Sequence, residues 1–357
     1  MQLILHFYFA IIIFLNMRAF ITISKDNLIH NYFEIKRNTK KEIMAVIKAN
    51  AYGHGIKEIS KELSYINCYF FVVATLQEAI MTRKNLIYAP ILLLEDSDDI
   101  RVMISLKITL AITNMTQLKR IINTKYPLMI QICIDTDMKR DGLDIGELKE
   151  ALELIKSSKL KLVGIYTHHT GINEYKKECN TFIDALEKLN NKIFFHHKAS
   201  STIMLEDINQ NDKHIRIGGA LYGLCQYENI NLKQVMSLNA PIYSVKPIKK
   251  GEAIGYDDGS KADRDGTIIS IPFGYSDGWP KYLTICIYYK GRIFKSVGGR
   301  MMNHTLFIID NKYNPKVGDL VELIGSHLTV FELAKMYNMI PYEVTTTLSA
   351  NLKRTVK

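Results

Sequence analysis

The chain has no run of apolar residues long enough to be a confident membrane span. Its longest apolar stretch, Leu3–Leu15, is too short and contains His6. No basic residue precedes this stretch and no small-residue cleavage site follows it, although a secretory signal peptide has both. Because Met17-Arg18 begins a segment that reads as an ordinary protein start, we expect residues 1–16 to be an upstream extension and expect no stable membrane insertion.

The chain is also poor in cysteine. The number is odd, the spacing is wide, and no Cys-x-x-Cys occurs: Cys68, Cys133, Cys179, Cys225 and Cys286. This usage argues against a disulfide framework or a zinc site, and it favours a reducing compartment, the cytoplasm. We predict no metal site.

The positive charge lacks any long Lys/Arg run that would concentrate it, although the formal net charge is +10. A solvated surface is therefore favoured over a nucleic-acid-binding face. A hydrophobic fraction of 47% is ordinary for a globular protein. A length of 357 residues predicts about two domains.

In the first part of the chain, short apolar runs alternate with helical periods. Eight strands are predicted: Ile43–Ile47, Tyr69–Ala74, Ile91–Leu94, Ile108–Ile112, Leu128–Ile134, Leu160–Tyr166, Lys192–His196 and Lys213–Ile217. Helices are predicted after Ser24 as far as Thr39, from the capping pattern at Thr75, over Asp144–Ile155 and over Tyr175–Leu189. Eight strands with intervening helices favour a (β/α)8 TIM barrel, and an open doubly wound sheet is the alternative.

The placement of chemically notable residues supports the barrel. Lys48, Arg140, His168, Ser201 and Arg216 all come just after predicted strand ends. Barrel enzymes build their active sites at that carboxyl end.

After about Asn239 the helical period fades, and glycine and proline separate short alternating segments. The predicted elements are four strands and one short helix: Ile268–Ile271, Ile285–Tyr289, Thr305–Ile309, Leu320–Leu323 and Phe331–Met336. We therefore expect a barrel over residues 17–240 and a C-terminal, mainly β domain over residues 241–357.

Lys48 ends the first predicted barrel strand. Burial lowers the pKa of a lysine, and a neutral lysine amine is a nucleophile that forms Schiff bases. Tyr52, four residues on, can offer a hydroxyl to a phosphate, and Gly53 and Gly55 let the backbone approach a ligand. The alternative is a surface lysine before a loop.

The segment from Ala45 to Gly55 resembles the pyridoxal 5'-phosphate (PLP) lysine motif of the alanine racemases, and the likeness continues from Met17 nearly to the end of the chain. The resemblance implies a PLP-dependent enzyme that interconverts L- and D-alanine by a two-base mechanism and supplies D-alanine for peptidoglycan. It implies that Lys48 carries PLP, and that Lys48 and Tyr256 are the two acid/base groups. In the family this tyrosine serves the partner subunit, which implies a homodimer with shared active sites.

The same resemblance assigns further roles. For PLP these fall on Tyr52, His168 (on the pyridine ring), Ser201, Arg216 (at the pyridine nitrogen), Gly218, Gly219 and Tyr342, and for the substrate on Arg140, Tyr275 and Met302. Cys133 stands where many members have a lysine, often carbamylated, that steadies the arginine at position 140. Asp137 replaces a glycine, and Asn303 replaces an aspartate.

Arg216 bears on the reaction. Because an arginine only donates hydrogen bonds, its partner nitrogen must accept and stay unprotonated. A pyridine ring without that proton is a weaker electron sink, which limits side reactions such as transamination. A decarboxylase of the same architecture would favour an acidic partner there. Two further hypotheses are a racemase whose substrate is serine and a PLP-binding barrel without catalysis.

Overall fold

The computed structural model describes residues 18–136, 138–168, 180–182, 185, 195–198, 213–256 and 259–357. Ser201, Asp137, the extension 1–16 and most of the predicted helix Tyr175–Leu189 lie outside these residues. The chain divides into two compact units, Asp26–Lys233, and Gln234–Lys357 together with the described residues up to Lys25. The functional domains predicted over 17–240 and 241–357 remain a proposal.

The first strand, β1 (Phe20–Ile23), belongs to the C-terminal unit. The next eight strands are parallel and close into a barrel in chain order: β2 (Glu42–Val46), β3 (Phe70–Val73), β4 (Ile91–Leu93), β5 (Ile108–Ile112), β6 (Met129–Cys133), β7 (Lys161–Tyr166), β8 (Phe195–Lys198) and β9 (His214–Ile217). The sheet closes because β2 pairs with β9, in the register Met44 to Arg216. The predicted barrel is confirmed, and the open sheet is excluded.

Besides the short left-handed turn Lys48–Tyr52, six helices before the C-terminal sheet have described bounds: α1 (Lys25–Thr39), α2 (Ile56–Tyr65), α3 (Leu76–Lys84), α4 (Ile100–Ser105), α5 (Met115–Ile121) and α6 (Leu148–Lys156). The capping box at Thr75 is confirmed, since its side chain accepts from the Glu78 N–H. Helix α6 begins four residues later than predicted. The Glu147 carboxylate accepts the Asp144 N–H at 2.9 Å in a turn before the helix. No helix among the described residues is long and apolar enough to cross a membrane.

The interior of the barrel has two different halves. Strands β2 to β5 contribute buried apolar side chains: Met44, Val46, Phe70, Val72, Leu92 and Ala111. Strands β6 to β9 contribute groups that form hydrogen bonds: Gln131, Cys133, Tyr166, His197 and Arg216. The polar half therefore lies on the strands that end at the predicted site residues.

The C-terminal unit is a nine-stranded, largely antiparallel sheet in the order β11-β12-β15-β14-β13-β16-β10-β1-β17. Its strands are β10 (Met236–Pro241), β11 (Ser244–Ile248), β12 (Gly266–Ile271), β13 (Cys286–Tyr289), β14 (Arg292–Val297), β15 (Thr305–Ile309), β16 (Leu320–Ile324) and β17 (Lys353–Val356). Strand β1 is antiparallel to β10 and parallel to β17.

The predicted C-terminal β architecture is confirmed, and all four predicted strands are present. The predicted helix Phe331–Met336 is confirmed as α7 (Val330–Tyr337), and a second helix that was not predicted, α8 (Pro341–Thr346), follows it. Pro341 occupies the first turn of α8, where its fixed φ suits a helix and its missing N–H has no helical partner to lose. The proline marks a start that the sequence pattern alone did not reveal.

Candidate active site

Lys48 is the first residue of a left-handed turn that follows β2. Ala49, Asn50, Ala51 and Tyr52 all have φ between +52° and +54°. A left-handed turn costs roughly 1–2 kcal/mol for each non-glycine residue, because Cβ crowds the following carbonyl oxygen. Four such residues in succession persist only when surrounding contacts hold them.

Two polar side chains hold this turn. One oxygen of Glu78 accepts the Asn50 N–H at 3.2 Å, and the other accepts the Ala74 N–H at 2.9 Å. The side-chain oxygen of Asn50 accepts the Ile56 N–H at 2.9 Å at the start of α2. The turn that carries Lys48 is thus tied to both neighbouring helices and to the end of β3.

Lys48 is half-buried among other cations. Burial lowers its pKa, and the positive charges of Arg140 and Arg216 lower it further, against smaller opposite effects of Glu78 and Glu95. A larger fraction of Lys48 is therefore neutral near pH 7 than for an exposed lysine. That is the protonation state in which an amine acts as a nucleophile or a base.

Arg216 is buried and donates into the polar half of the barrel. Its Nη1 lies 2.5 Å from His197 Nδ1, and its Nη2 donates to the Thr167 carbonyl at 2.7 Å. Its guanidinium lies 4.5 Å from the centre of the Tyr166 ring. Burial lowers the pKa of Arg216 to about 10, so it remains a cation at neutral pH.

Gly218 and Tyr52 define a close contact just beyond β9. A Cβ added at Gly218 would lie 2.3 Å from the Tyr52 hydroxyl, so no other residue fits without movement. The 3-10 turn Gly219–Tyr222 follows, and the N–H groups at a helix start have no acceptor within the helix. Burial raises the pKa of Tyr52 to about 12, so its hydroxyl stays protonated and can donate.

Arg140 lies on the loop after β6 and is about half exposed. Its Nε donates to the Asp141 carboxylate at 3.0 Å. The Cys133 thiol donates to the backbone carbonyl of Asp141, with a sulfur–oxygen distance of 3.7 Å. Burial raises the pKa of Cys133 to about 11. This position therefore carries a neutral thiol, and the anion beside Arg140 comes from its sequence neighbour.

His168 follows β7 and is half-buried, directly after the Thr167 carbonyl that accepts from Arg216. The Thr167 hydroxyl lies 2.7 Å from the Thr136 hydroxyl after β6. Lys48, Tyr52, Arg140, His168, Arg216, Gly218 and Gly219 thus all lie at or just after the carboxyl ends of barrel strands.

The C-terminal unit brings Tyr275 and Met302 together. The Tyr275 N–H donates to the Met301 carbonyl at 3.3 Å, and the Ser276 N–H donates to the Met302 carbonyl at 3.0 Å. A Cβ on Gly274 would lie 2.4 Å from the Met302 carbonyl oxygen. The Tyr275 turn therefore depends on a glycine.

Tyr256 belongs to the same neighbourhood of the C-terminal unit. Gly255 has φ +71°, and a Cβ added there would lie 3.1 Å from the Met301 side chain. Tyr256 itself is 68% exposed. Tyr342 lies in the first turn of α8, and Asp257 and Asp258 lie outside the described residues.

Several residues around the site were not predicted from the sequence. Glu78 belonged only to the predicted capping box, and His197 only followed the predicted strand Lys192–His196. Gln131 carried a usable signal, since it precedes Cys133 by two residues on a strand and must share its face.

The fold and the comparisons with known proteins define the chain as an amino-acid racemase. Family models described as "Alanine racemase, N-terminal domain" and "Alanine racemase, C-terminal domain" match residues 23–226 and 235–356. The chain belongs to the alanine racemase family, whose enzymes are PLP-dependent. The match to both domains excludes the lone non-catalytic barrel.

Individual relatives agree over nearly the whole chain. An alanine racemase from Halalkalibacterium halodurans is 30% identical, over 91% of this chain and 90% of that protein. The solved alanine racemase of Clostridium difficile 630 is 28% identical with a TM-score of 0.88, and 95% of each chain is covered. A histidine racemase from Leuconostoc mesenteroides is 26% identical with a TM-score of 0.84, covering 95% of this chain and 98% of that one. One architecture thus serves racemases named for different amino acids.

Proposed function

We propose that this protein interconverts L- and D-alanine with PLP held at the carboxyl end of the barrel. One observation carries the proposal: Lys48, with a pKa lowered by burial, stands on a strained turn beside Arg140 and Arg216. A catalytic amine needs such a depressed pKa, and the two arginines suit the anionic oxygens of a cofactor and an amino acid.

The residues present fit PLP. Three cations lie within interaction range at the end of the barrel, and an anionic cofactor would offset their charge. Because Gly218 has no side chain, the Tyr52 hydroxyl, which can donate, lies close against the backbone just beyond β9. Tyr52, Gly218 and Gly219 would hold the phosphate, together with Ser201 and Tyr342; His168 and Arg216 would hold the ring.

When bound, PLP withdraws electrons from the Cα of an attached amino acid and so makes the proton on that carbon removable. Inversion at Cα needs two groups, because a single base tends to return the proton to the side it came from. We assign these roles to the Lys48 amine and the Tyr256 hydroxyl. Arg140 would bind the substrate carboxylate, and Tyr275 and Met302 would limit the size of the substrate.

The pairing of Lys48 with Tyr256 is proposed to occur across a homodimer. Tyr256 is 68% exposed, as expected for a group that is completed by a partner protomer. Cys68, Cys133 and Cys286 are thiols that form no disulfide, which suits the cytoplasm, where D-alanine for peptidoglycan would be made.

The activity is tested by incubating the purified full-length chain with PLP and L-alanine and following optical rotation. The rotation should decay to zero, and Lys48→Ala should abolish the decay. Parallel reactions with L-serine and L-histidine rank the substrates. A protein that binds PLP through Lys48 and racemises serine or histidine faster than alanine would contradict the substrate assignment.

The dimer is tested with two inactive variants, Lys48→Ala and Tyr256→Phe. After random subunit exchange, about a quarter of wild-type activity should return, since half of the dimers are hybrids with one complete site. No recovery, with exchange demonstrated by a mass-tagged protomer, would show that Tyr256 serves its own chain or is not the second acid/base group.

A further inference from the structure

The polar half of the barrel contains a linear relay of three side chains, Arg216, His197 and Gln131. Arg216 Nη1 lies 2.5 Å from His197 Nδ1, and His197 Nε2 lies 2.7 Å from Gln131 Oε1. All three residues are buried, with 4%, 0% and 0% relative exposure. Water therefore does not compete for these hydrogen bonds.

Chemistry determines the direction of every hydrogen in the relay. An arginine has only donors, so His197 Nδ1 must accept and carries no proton. The proton of a neutral imidazole then lies on Nε2, which donates to the Gln131 carbonyl oxygen. A glutamine amide neither gains nor loses a proton near neutral pH, so the relay ends in a group of fixed polarity.

The groups packed around His197 do not favour its protonation. The Tyr166 ring stacks on the imidazole with a centroid distance of 5.2 Å and an interplanar angle of 5°. Burial raises the pKa values of Tyr166 and Cys133, so both are neutral at pH 7. Among the described residues, the positive charges of Arg216 and, beyond it, Arg140 oppose an imidazolium, whereas the Asp141 carboxylate next to Arg140 acts on Tyr166 and Cys133 with the opposite sign.

Gln131 makes one bond and leaves another unmade. Its Nε2 is buried and has no hydrogen-bond partner among the described residues. A buried donor without a partner costs free energy and would by itself favour an apolar side chain at this position. The hydrogen bond that the Gln131 carbonyl oxygen accepts is therefore the contact that favours glutamine. The structure thus ties Gln131 to the His197 N–H.

We propose that Gln131 is a positioning residue that holds His197 in the Nε2–H tautomer, so that His197 only accepts from Arg216 and keeps its guanidinium aimed at the PLP ring. The inference rests on the proposed function, because Arg216 is assigned there to the pyridine nitrogen. Gln131 lies on a different strand from Arg216, and it would orient Arg216 through His197 without contacting the cofactor itself.

The first measurement needs no variant beyond the one used for assignment. In full-length protein loaded with PLP and labelled with 15N-histidine, the ring-nitrogen shifts should show one neutral Nε2–H tautomer for His197, assigned by its loss in His197→Gln. An imidazolium or an Nδ1–H tautomer at pH 7–8 would overturn the proposal. The shifts report the tautomer whether or not the protein racemises alanine, so failure of the relay and failure of the proposed activity are distinguishable.

The second measurement uses Gln131→Glu, with Gln117→Glu as the matched change of a buried glutamine outside the relay. A carboxylate at position 131 favours a doubly protonated His197, which can no longer accept from Arg216. PLP affinity of Gln131→Glu should fall about ten-fold at pH 7 relative to wild type and recover as the pH is raised, because His197 then loses its extra proton and its Nδ1 again accepts from Arg216. A ratio to wild type that does not change with pH, or the same pH-dependent ratio in Gln117→Glu, would overturn the relay.

Discussion

Arg18 donates from Nη2 to the Asp277 carboxylate over 2.6 Å, although the two residues are 259 positions apart. Arg18 is about half exposed, whereas the Asp277 side chain is 7% exposed. The second oxygen of Asp277 accepts the Gly274 N–H at 2.9 Å, and its carbonyl accepts the Ser349 N–H. A residue next to β1 therefore stabilises the turn that presents Tyr275.

Replacing Arg18 by glutamine should leave the Asp277 carboxylate buried without its cation. We expect the free energy of unfolding to fall by about 1–2 kcal/mol, and the KM for alanine to rise more than kcat falls, because the Tyr275 turn loosens. Urea unfolding and steady-state kinetics measure both. Arg37→Gln, which removes an exposed pair with Glu34, should cost less than about 0.5 kcal/mol; equal losses in the two variants would contradict the prediction.

Asp141→Asn removes the only anion bonded to Arg140 among the described residues. The pair is exposed, so stability should change by less than about 0.5 kcal/mol. The Arg140 guanidinium should be less well oriented without this carboxylate. We therefore expect KM for alanine to rise about three- to ten-fold with a smaller change in kcat. Asp144→Asn, on the same loop, is the control and should leave KM unchanged.

The chemistry of Cys133 leads to a companion measurement in the same assay. A thiol cannot form the lysine carbamate, so activity should be the same in CO2-free and bicarbonate buffers. An increase in rate with bicarbonate would show that another group on this loop takes up CO2.

Ala49→Gly tests the left-handed turn. Glycine adopts a positive φ without the Cβ contact that burdens alanine, and this gain of roughly 1–2 kcal/mol outweighs the entropic cost of about 0.5–1 kcal/mol. The unfolding free energy should rise by about 0.5 kcal/mol. At exposed Glu153 in the right-handed helix α6, Glu153→Gly should instead be about 1 kcal/mol less stable than Glu153→Ala. A loss of similar size at both sites would contradict the left-handed geometry.

Lys48 should make the stability of the PLP-free protein depend on pH. Its folded-state pKa is lowered, chiefly by burial, so between that pKa and the unfolded value of about 10.4 the unfolded chain binds more protons. Stability contributed by this residue therefore rises as the pH rises through that window, and below it the charged lysine is a cost. Lys48→Met should be more stable than wild type at pH 7, with the difference shrinking towards pH 10, by urea unfolding. Lys149→Met, at an exposed position, should show no such trend.

The barrel could be predicted from the sequence because the patterns that indicate its strands and helices are local. An apolar run such as Ile108–Ile112 indicates a buried strand, and the capping box at Thr75 indicates where a helix begins. Each signal is contained within a few residues of the chain. Lys48 stood out for the same reason, since a charged residue directly follows a buried strand. The resemblance supplied roles, such as that of Tyr256, which no local pattern expresses.

Tertiary structure decided what depends on residues far apart in sequence. Strand β1 pairs with β10 and β17, and Arg18 bonds to Asp277, because distant parts of the chain come together in one sheet. Local periodicity in the sequence does not indicate which distant segments pair. The left-handed turn after Lys48 arises because Glu78 and Asn50 hold it, against the intrinsic preference of alanine and tyrosine. The Gln131–His197–Arg216 relay exists only once three separate strands close into a barrel, since each side chain on its own satisfies an ordinary strand pattern.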